Sequence, residues 1–255
     1  MSKTTTMPNI RKMFVPDPGY TMFDVDLTGA DAQVVAYEAE DMDLIEAFRK
    51  GLDVHDKNAT DLWGSAYTNL AGDKNHGPKY KRRKECKVGV HATNYGGQAR
   101  ALAKILGWTV REAESFQRRW FGIHPGIKAN FHGRIESDLR SSRMVTNRFG
   151  YRRVYFDRID SCFTEALAWV PQSTVAEVSF RGGLQLELHC PWVEILIQVH
   201  DSLVFQVPSR YENHIEEIST GLIVEVPYTN PSPLVIQWGI ARSRISWGDC
   251  ETVVA

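Results

Sequence analysis

Asp26 lies within an alternating apolar stretch, Arg83, Lys87, His91 and Tyr95 recur at a spacing of four, and Asp201 stands in a short turn between two apolar runs. Carboxylates brought together from distant parts of a chain can hold a pair of Mg²⁺ ions, with Mn²⁺ as a substitute, and a basic helix face can receive a triphosphate. A tyrosine at the end of that face suits a base. The combination is that of a nucleotidyl-transfer site.

Each piece has a plainer reading. Aspartate is common in turns for local hydrogen-bonding reasons, but Asp201 sits between Ile195–Val199 and Leu203–Phe205, where an unpaired charge is costly. In a helix, Arg83, Lys87, His91 and Tyr95 form one slowly drifting stripe, which is either a solvated basic face or a phosphate-binding array. The glycines of Asn94-Tyr95-Gly96-Gly97 permit close approach and favour the array. His55 alone reads as a helix-start histidine, and only its company makes it a phosphate ligand. The run Asn147–Arg153 mixes aromatics and arginines as a nucleic-acid surface does, or as a hairpin tip with solvated arginines. Gln172 is either a buried amide or a reader of a minor-groove edge. His200-Asp201-Ser202 is no hydrolase triad, because three consecutive turn residues cannot converge. His91, His124, His132 and His200 are too scattered for a metal motif.

The elements that must position these groups follow from period and punctuation. After Pro16-Asp17-Pro18-Gly19, residues Thr21 to Leu27 alternate, with Phe23, Val25 and Leu27 on one face and Asp24 and Asp26 on the other. Asp24 is thus a second choice for a metal contact. Helices are expected over Ala30–Glu40, Leu44–Lys50, His55–Trp63, and Lys79–Leu106 with a break at Gly96-Gly97. Thr109 and Glu112 have capping-box spacing for a helix to about Phe121, and another runs from His124-Pro125-Gly126 to about Ser141. A hairpin is expected over Val145–Phe156 and a helix over Phe163–Phe180, kinked at Pro171. Strands Val193–Val199 and Leu203–Val207 enclose Asp201, Tyr211–Ile223 forms an amphipathic helix, and Leu234–Trp238 is a last strand.

The 255 residues suffice for a full core, and 43% hydrophobic with 24% charged is ordinary for a globular chain. A formal net charge of −1 leaves nucleic-acid binding to local patches, of which Lys79–Lys87, Arg148–Arg158 and Arg118-Arg119 with His124 are three. Four dispersed cysteines, a polar start and the lack of a long apolar run point to a cytoplasmic protein, nucleoid-associated or in a phage-infected host, with no membrane partner.

These residues resemble family A DNA polymerases from about Pro8 to Gly248. The three polymerase motifs are similar to Asp26-Leu27-Thr28-Gly29-Ala30-Asp31-Ala32-Gln33, to Arg83-x3-Lys87-x3-His91-x3-Tyr95-Gly96, and to Gln198-Val199-His200-Asp201. Pro8-Asn9-Ile10, Asp53-x-His55, His124-Pro125-Gly126 and Gly150-Tyr151-Arg152-Arg153 follow in the family's order, and ordered co-occurrence is far more specific than any single match.

The resemblance implies an α+β fold: a palm of antiparallel sheet and helices over residues 1–52 and 144–255, with helical fingers inserted over 53–143. It implies Asp26 and Asp201 as ligands of two Mg²⁺ ions, and His55, Arg83 and Lys87 on the triphosphate of a deoxynucleotide. Tyr95 would lie beside the nascent base pair, and His91 and Asp31 would be among the nucleotide-binding residues. Arg152, Arg153, Gln172 and His200 would contact primer-template DNA. Asp31 replaces a glutamate that blocks the ribose 2′-hydroxyl, His91 replaces phenylalanine or tyrosine, and Ser202 replaces a glutamate. His-Asp-Ser also resembles single-subunit RNA polymerases, so RNA synthesis on the same palm is one alternative. A weakly active or inactive DNA-binding subunit of a replisome is another. Thumb and exonuclease domains are expected to be absent, with another polypeptide supplying grip, in a chain of phage-like divergence.

Overall fold

The computed structural model describes residues 9–254, so Pro8 of the first short match lies outside the described residues. The elements, in order, are β1 (Tyr20–Leu27), α1 (Ala30–Glu38), α2 (Met42–Arg49), α3 (Val54–Trp63), α4 (Ser65–Thr68), α5 (Gly77–Asn94), α6 (Ala99–Leu106) and α7 (Val110–Ile123). A π-helical turn (Ile127–His132) leads into α8 (Gly133–Ser141), then β2 (Met144–Thr146), β3 (Arg152–Val154) and α9 (Ile159–His189). The remainder comprises β4 (Glu194–Val199), β5 (Ser202–Pro208), α10 (Ile215–Gly221), β6 (Glu225–Val226), β7 (Leu234–Val235), β8 (Trp238–Ser243) and β9 (Glu251–Val254). Among the described residues no helix is long and apolar enough to cross a membrane.

Contacts divide the chain into two units. The first takes residues up to Ala30, Val175–Val226 and Pro233 onward; the second takes Asp31–Thr174 and Pro227–Ser232.

The first unit is built on a five-stranded sheet of order β4-β5-β1-β8-β9, antiparallel throughout. β1 is central because its apolar residues are fully withdrawn from water: Phe23 and Val25 are wholly buried, and Phe23 stacks on its cross-strand partner Phe205 with centroids 5.2 Å apart. The second half of α9 packs closely here through Gly182 and Gly183. A Cβ on Gly182 would lie 3.1 Å from the Trp238 ring, and one on Gly183 3.2 Å from Ile195. Two glycines cost a helix about 1 kcal/mol each, and the close approach they permit offsets this.

The second unit is helical, with the β2–β3 hairpin. Its helix starts are capped by Asp41 on α2 and Asp53 on α3, and α7 carries the full Thr109–Glu112 capping box that the sequence announces. The Trp120 indole donates to Asn94 Oδ1 at 2.8 Å, and His132 Nε2 lies 2.7 Å from the Asn94 carbonyl, so the end of α5 is held from within. Glu38, at the end of α1, is fully enclosed by Arg134, Arg148 and Tyr228.

Some elements differ from expectation. α9 starts four residues before Phe163 and runs nine past Phe180, through Pro171. Helix α10 covers only part of Tyr211–Ile223, because the residues before it are committed elsewhere: Tyr211 stacks on Trp192, and Glu212 is taken by Thr21 and Arg244. Leu234–Trp238 is not one strand but two ends, β7 pairing with β6 and β8 with β1. An apolar run declares a strand without declaring its partner.

Candidate active site

Asp26 and Asp201 meet because β1 and β5 pair in a register that sets Asp26 opposite Ser202, and because Leu27 N–H donates to the Asp201 carbonyl at 3.1 Å. The β4–β5 turn is two residues, His200-Asp201, with His200 at φ 55°, a left-handed conformation that side chains other than glycine adopt at a cost. On its other side Asp26 faces Gly239 of β8, so small neighbours flank the carboxylate on both strands.

The two carboxyl groups are close enough to share a hydrogen bond. Burial, then the charges of Asp201 and Asp24, then that hydrogen bond, push Asp26 up to about 6, with Arg11 acting in the opposite direction. Asp24 shares this strand face but is otherwise engaged: its Oδ2 accepts from Trp247 Nε1 at 2.8 Å and lies 3.6 Å from Arg11. Like-charged hard oxygens with insufficient protein cation are the donor set a divalent metal favours, so Asp26 and Asp201 fit such an ion.

Because folding raises the Asp26 pKa above the ordinary value of about 4, its contribution is fully present below that pH and lost as pH rises through about 6. Asp26→Asn is therefore expected to raise the melting temperature of the metal-free chain at pH 8 by about 2–4 °C, on the order of 1 kcal/mol after solvent screening, with no gain at pH 4. Thermal melts at the two pH values check this; an unchanged or lower melting temperature at pH 8 contradicts the strained pair.

The second unit gathers its own group. Asp53 caps α3, accepting from the His55 and Asp56 amides, and takes the Arg83 guanidinium, whose Nη2 lies 2.8 Å from both oxygens. Burial, aided by the Lys87 and Arg83 charges, lowers His55 to about 4, so at neutral pH it is an uncharged imidazole beside two cations. Lys87 and His91 are exposed on α5, while Arg83 is half-buried with its Nε lacking a partner among the described residues. Tyr95 donates to Asp31 Oδ2 at 2.9 Å and meets the His91 ring edge-on at 4.6 Å. Burial and the Asp31 charge hold the Tyr95 phenol far above its usual range, keeping it a donor.

The remaining residues separate. Within Asn147–Arg153, Asn147 closes the hairpin turn by accepting from the Phe149 and Tyr151 amides, and Arg148 grips Glu38 at 2.7 and 2.9 Å. Arg148 is thus committed to an ion pair with the enclosed Glu38, although its own side chain stays 37% exposed. Arg152 is exposed, Arg153 pairs with Glu165, and Gln172 is exposed on α9 instead of buried. His200 is exposed at its turn. His124 is not isolated: its Nδ1 lies 2.7 Å from Asp41, and Asp41, Asp43 and His124 offer ligand atoms within 4.8 Å of one another, a group that could hold an ion. The group draws on two aspartates and a single histidine; His91, His132 and His200 are not in it. Lys57, 2.5 Å from Asp43 and 2.6 Å from Asp61, already supplies positive charge there.

Sequence reasoning missed Glu38, the Arg83–Asp53 pair, and the Trp247 and Arg11 partners of Asp24. Only Asp53 had a local signal, its cap spacing ahead of His55 and Asp56.

The family model described as DNA polymerase family A matches residues 2–247. The thermostable DNA polymerase I of Thermus filiformis is 30% identical over 251 residues, covering 94% of this chain and 29% of that protein. DNA polymerase I of Pseudomonas aeruginosa is 27% identical over 258 residues, covering 94% of this chain and 26% of that protein. The fold is similar to a solved structure of the POL domain of Pol1 from M. smegmatis in complex with DNA primer-template and dNTP, with a TM-score of 0.79 at 21% identity, covering 94% of this chain and 42% of that one. The chain spans about a quarter of the length of the curated relatives it matches. On this match, the chain belongs to DNA polymerase family A.

Proposed function

We propose that this chain is the core of a template-directed DNA polymerase, joining deoxynucleoside triphosphates to a primer 3′-hydroxyl. The observation that carries the reading is the contact between the Asp26 and Asp201 carboxyls, one on a central strand and one on the adjoining turn, with Asp26 raised to about 6. Mg²⁺ bound by these two residues would offset their repulsion, favour the ionised primer hydroxyl and stabilise the leaving pyrophosphate.

The protein's own groups then have defined tasks. Above about pH 6 Asp26 is ionised and, beside Asp201, ready to hold hard cations. Lys87, exposed and uncommitted among the described residues, supplies a cation to phosphate oxygens. Arg83 exchanges Asp53 for phosphate, and neutral His55 offers an uncharged hydrogen bond. The Asp31–Tyr95 pair fixes a ring and a carboxylate beside the incoming nucleoside, where the carboxylate opposes a ribose 2′-hydroxyl. The primer oxygen bonds to the α-phosphorus as the bond to the β-phosphate oxygen breaks, releasing pyrophosphate. Arg152, Arg153, Gln172 and His200 would contact primer or template, and a further polypeptide segment would supply grip on the duplex.

Primer extension by the purified chain, with deoxy- and ribonucleotides compared, tests the reading; preference for ribonucleotides would turn it toward RNA synthesis. Lys87→Ala is expected to raise the apparent KM for the nucleotide by about 10-fold or more, as for loss of a charge-assisted hydrogen bond, with primer-template Kd changed less than about 3-fold. The opposite split, measured by steady-state kinetics and anisotropy, contradicts the role given to Lys87.

A further inference from the structure

We infer that a hollow within the second unit, formed by α3, α5, α7 and the α6–α7 loop, is a subsite for the bases of unpaired, single-stranded nucleic acid. It encloses about 270 Å³ and is lined by Trp63, Arg82, Trp108, Glu112, Phe116 and Arg119, among others. The inference goes beyond nucleotidyl transfer and uses none of the residues assigned to it.

Three rings make the wall. Trp63 and Trp108 meet edge to face at 6.5 Å, and the Phe116 ring lies 5.7 Å from the first and 5.4 Å from the second. Phe116 is core, buried against α5 where a Cβ on Gly89 would stand 2.7 Å from its ring. A cluster serving only as core would bury the two indoles as well, yet both remain half-exposed at the hollow. Indole faces take any base, because every base has a π-face.

The charges suit a phosphodiester chain. The Arg82 guanidinium sits 4.9 Å over the Trp63 ring and 3.1 Å from Glu85, so it is held in place as a stacked cation. Arg119 is exposed and has no partner among the described residues. Glu112, the carboxylate of the lining, is turned to its helix start, accepting from the Thr109 amide and hydroxyl, each at 2.7 Å. Aromatic faces beside an uncommitted arginine make a stacking platform for a polyanion, and a neutral apolar peptide would leave Arg119 unanswered.

The test is equilibrium binding of a short dye-labelled single-stranded DNA, and of a blunt duplex, by anisotropy in EDTA. Without divalent metal, failure here is separate from failure of the polymerase reading. Trp108→Ala and Arg119→Ala are each expected to weaken single-strand binding by about 10-fold, leaving duplex affinity within about 2-fold, and Trp108→Phe to retain binding. Arg119→Ala, at an exposed site, keeps the test valid if Trp108→Ala folds poorly. The proposal is overturned if the parent chain does not bind the single strand, if Arg119→Ala binds it as tightly as the parent, if duplex affinity falls in parallel, or if Trp108→Phe is as weak as Trp108→Ala.

Discussion

Asp201→Asn is expected to lower primer extension by at least about 10³-fold while the chain stays folded, because an amide cannot replace a carboxylate opposite a hard cation and several kcal/mol of charge stabilisation are lost. The fold tolerates the change: what anchors the turn is the Asp201 backbone carbonyl, which accepts from Leu27, and not its side chain. Asp26→Asn should be as damaging to extension. Asp24→Asn should separate from both, since Asp24 holds the Trp247 indole and Arg11, and its loss should show first as reduced stability. Single-turnover extension with circular dichroism on the same samples reads both properties. Near-normal rates in Asp201→Asn, or Asp24→Asn being the most impaired of the three, would contradict the assignment.

Glu38→Gln is expected to destabilise the chain by about 3 kcal/mol, lowering the melting temperature by roughly 6–12 °C. The Glu38 side chain has no exposure; Arg148 binds it with two nitrogens, Arg134 reaches it at 2.5 Å, and Tyr228 donates at 2.9 Å. Neutralising it leaves the partly buried Arg148 guanidinium without its anion and Arg134 with only Asp138 at 3.5 Å, the costly way to break a buried pair. Burial alone would raise its pKa, but the two arginines and the tyrosine outweigh it and hold the carboxyl below the usual range. The depressed folded pKa means this stability is present above the unfolded pKa and lost as pH falls through the folded one. Urea unfolding at pH 7 and at pH 3 should show a gap between parent and variant that narrows at the lower pH. A gap of the same size at both values would show that the charge is not what matters.

Local signals carried much of the fold into the sequence. The alternation of Phe23, Asp24, Val25, Asp26 and Leu27 states both a strand and its two faces, and the observed burial follows it. The Thr109–Glu112 box and the Gly96-Gly97 break mark helix ends because capping and glycine act within a few residues. The contact of Asp26 with Asp201 was different: neither stretch specifies its partner strand, and their association came from the ordered motifs of a family resemblance. What stayed hidden was long-range. Glu38 has no spacing that marks it apart from an exposed helix-end carboxylate, since its partners lie 96, 110 and 190 positions away. Arg148, grouped with solvated arginines by composition, is fixed by the same unseen partner. The two ends of Leu234–Trp238 went to different sheets because register belongs to the assembled sheet, not to the run.

Mn²⁺ binding, followed by electron paramagnetic resonance of the free ion, bears most directly on the reading of Asp26 and Asp201 as cation ligands. Titrations of the parent, Asp26→Asn, Asp201→Asn and Asp43→Asn chains should show binding by the parent, its loss in the first two variants, and retention in the third, whose carboxylate belongs to the separate Asp41–Asp43–His124 group. Unchanged binding in both Asp26→Asn and Asp201→Asn, with loss in Asp43→Asn, would place the cation in the wrong unit and remove the chemistry assigned to the pair.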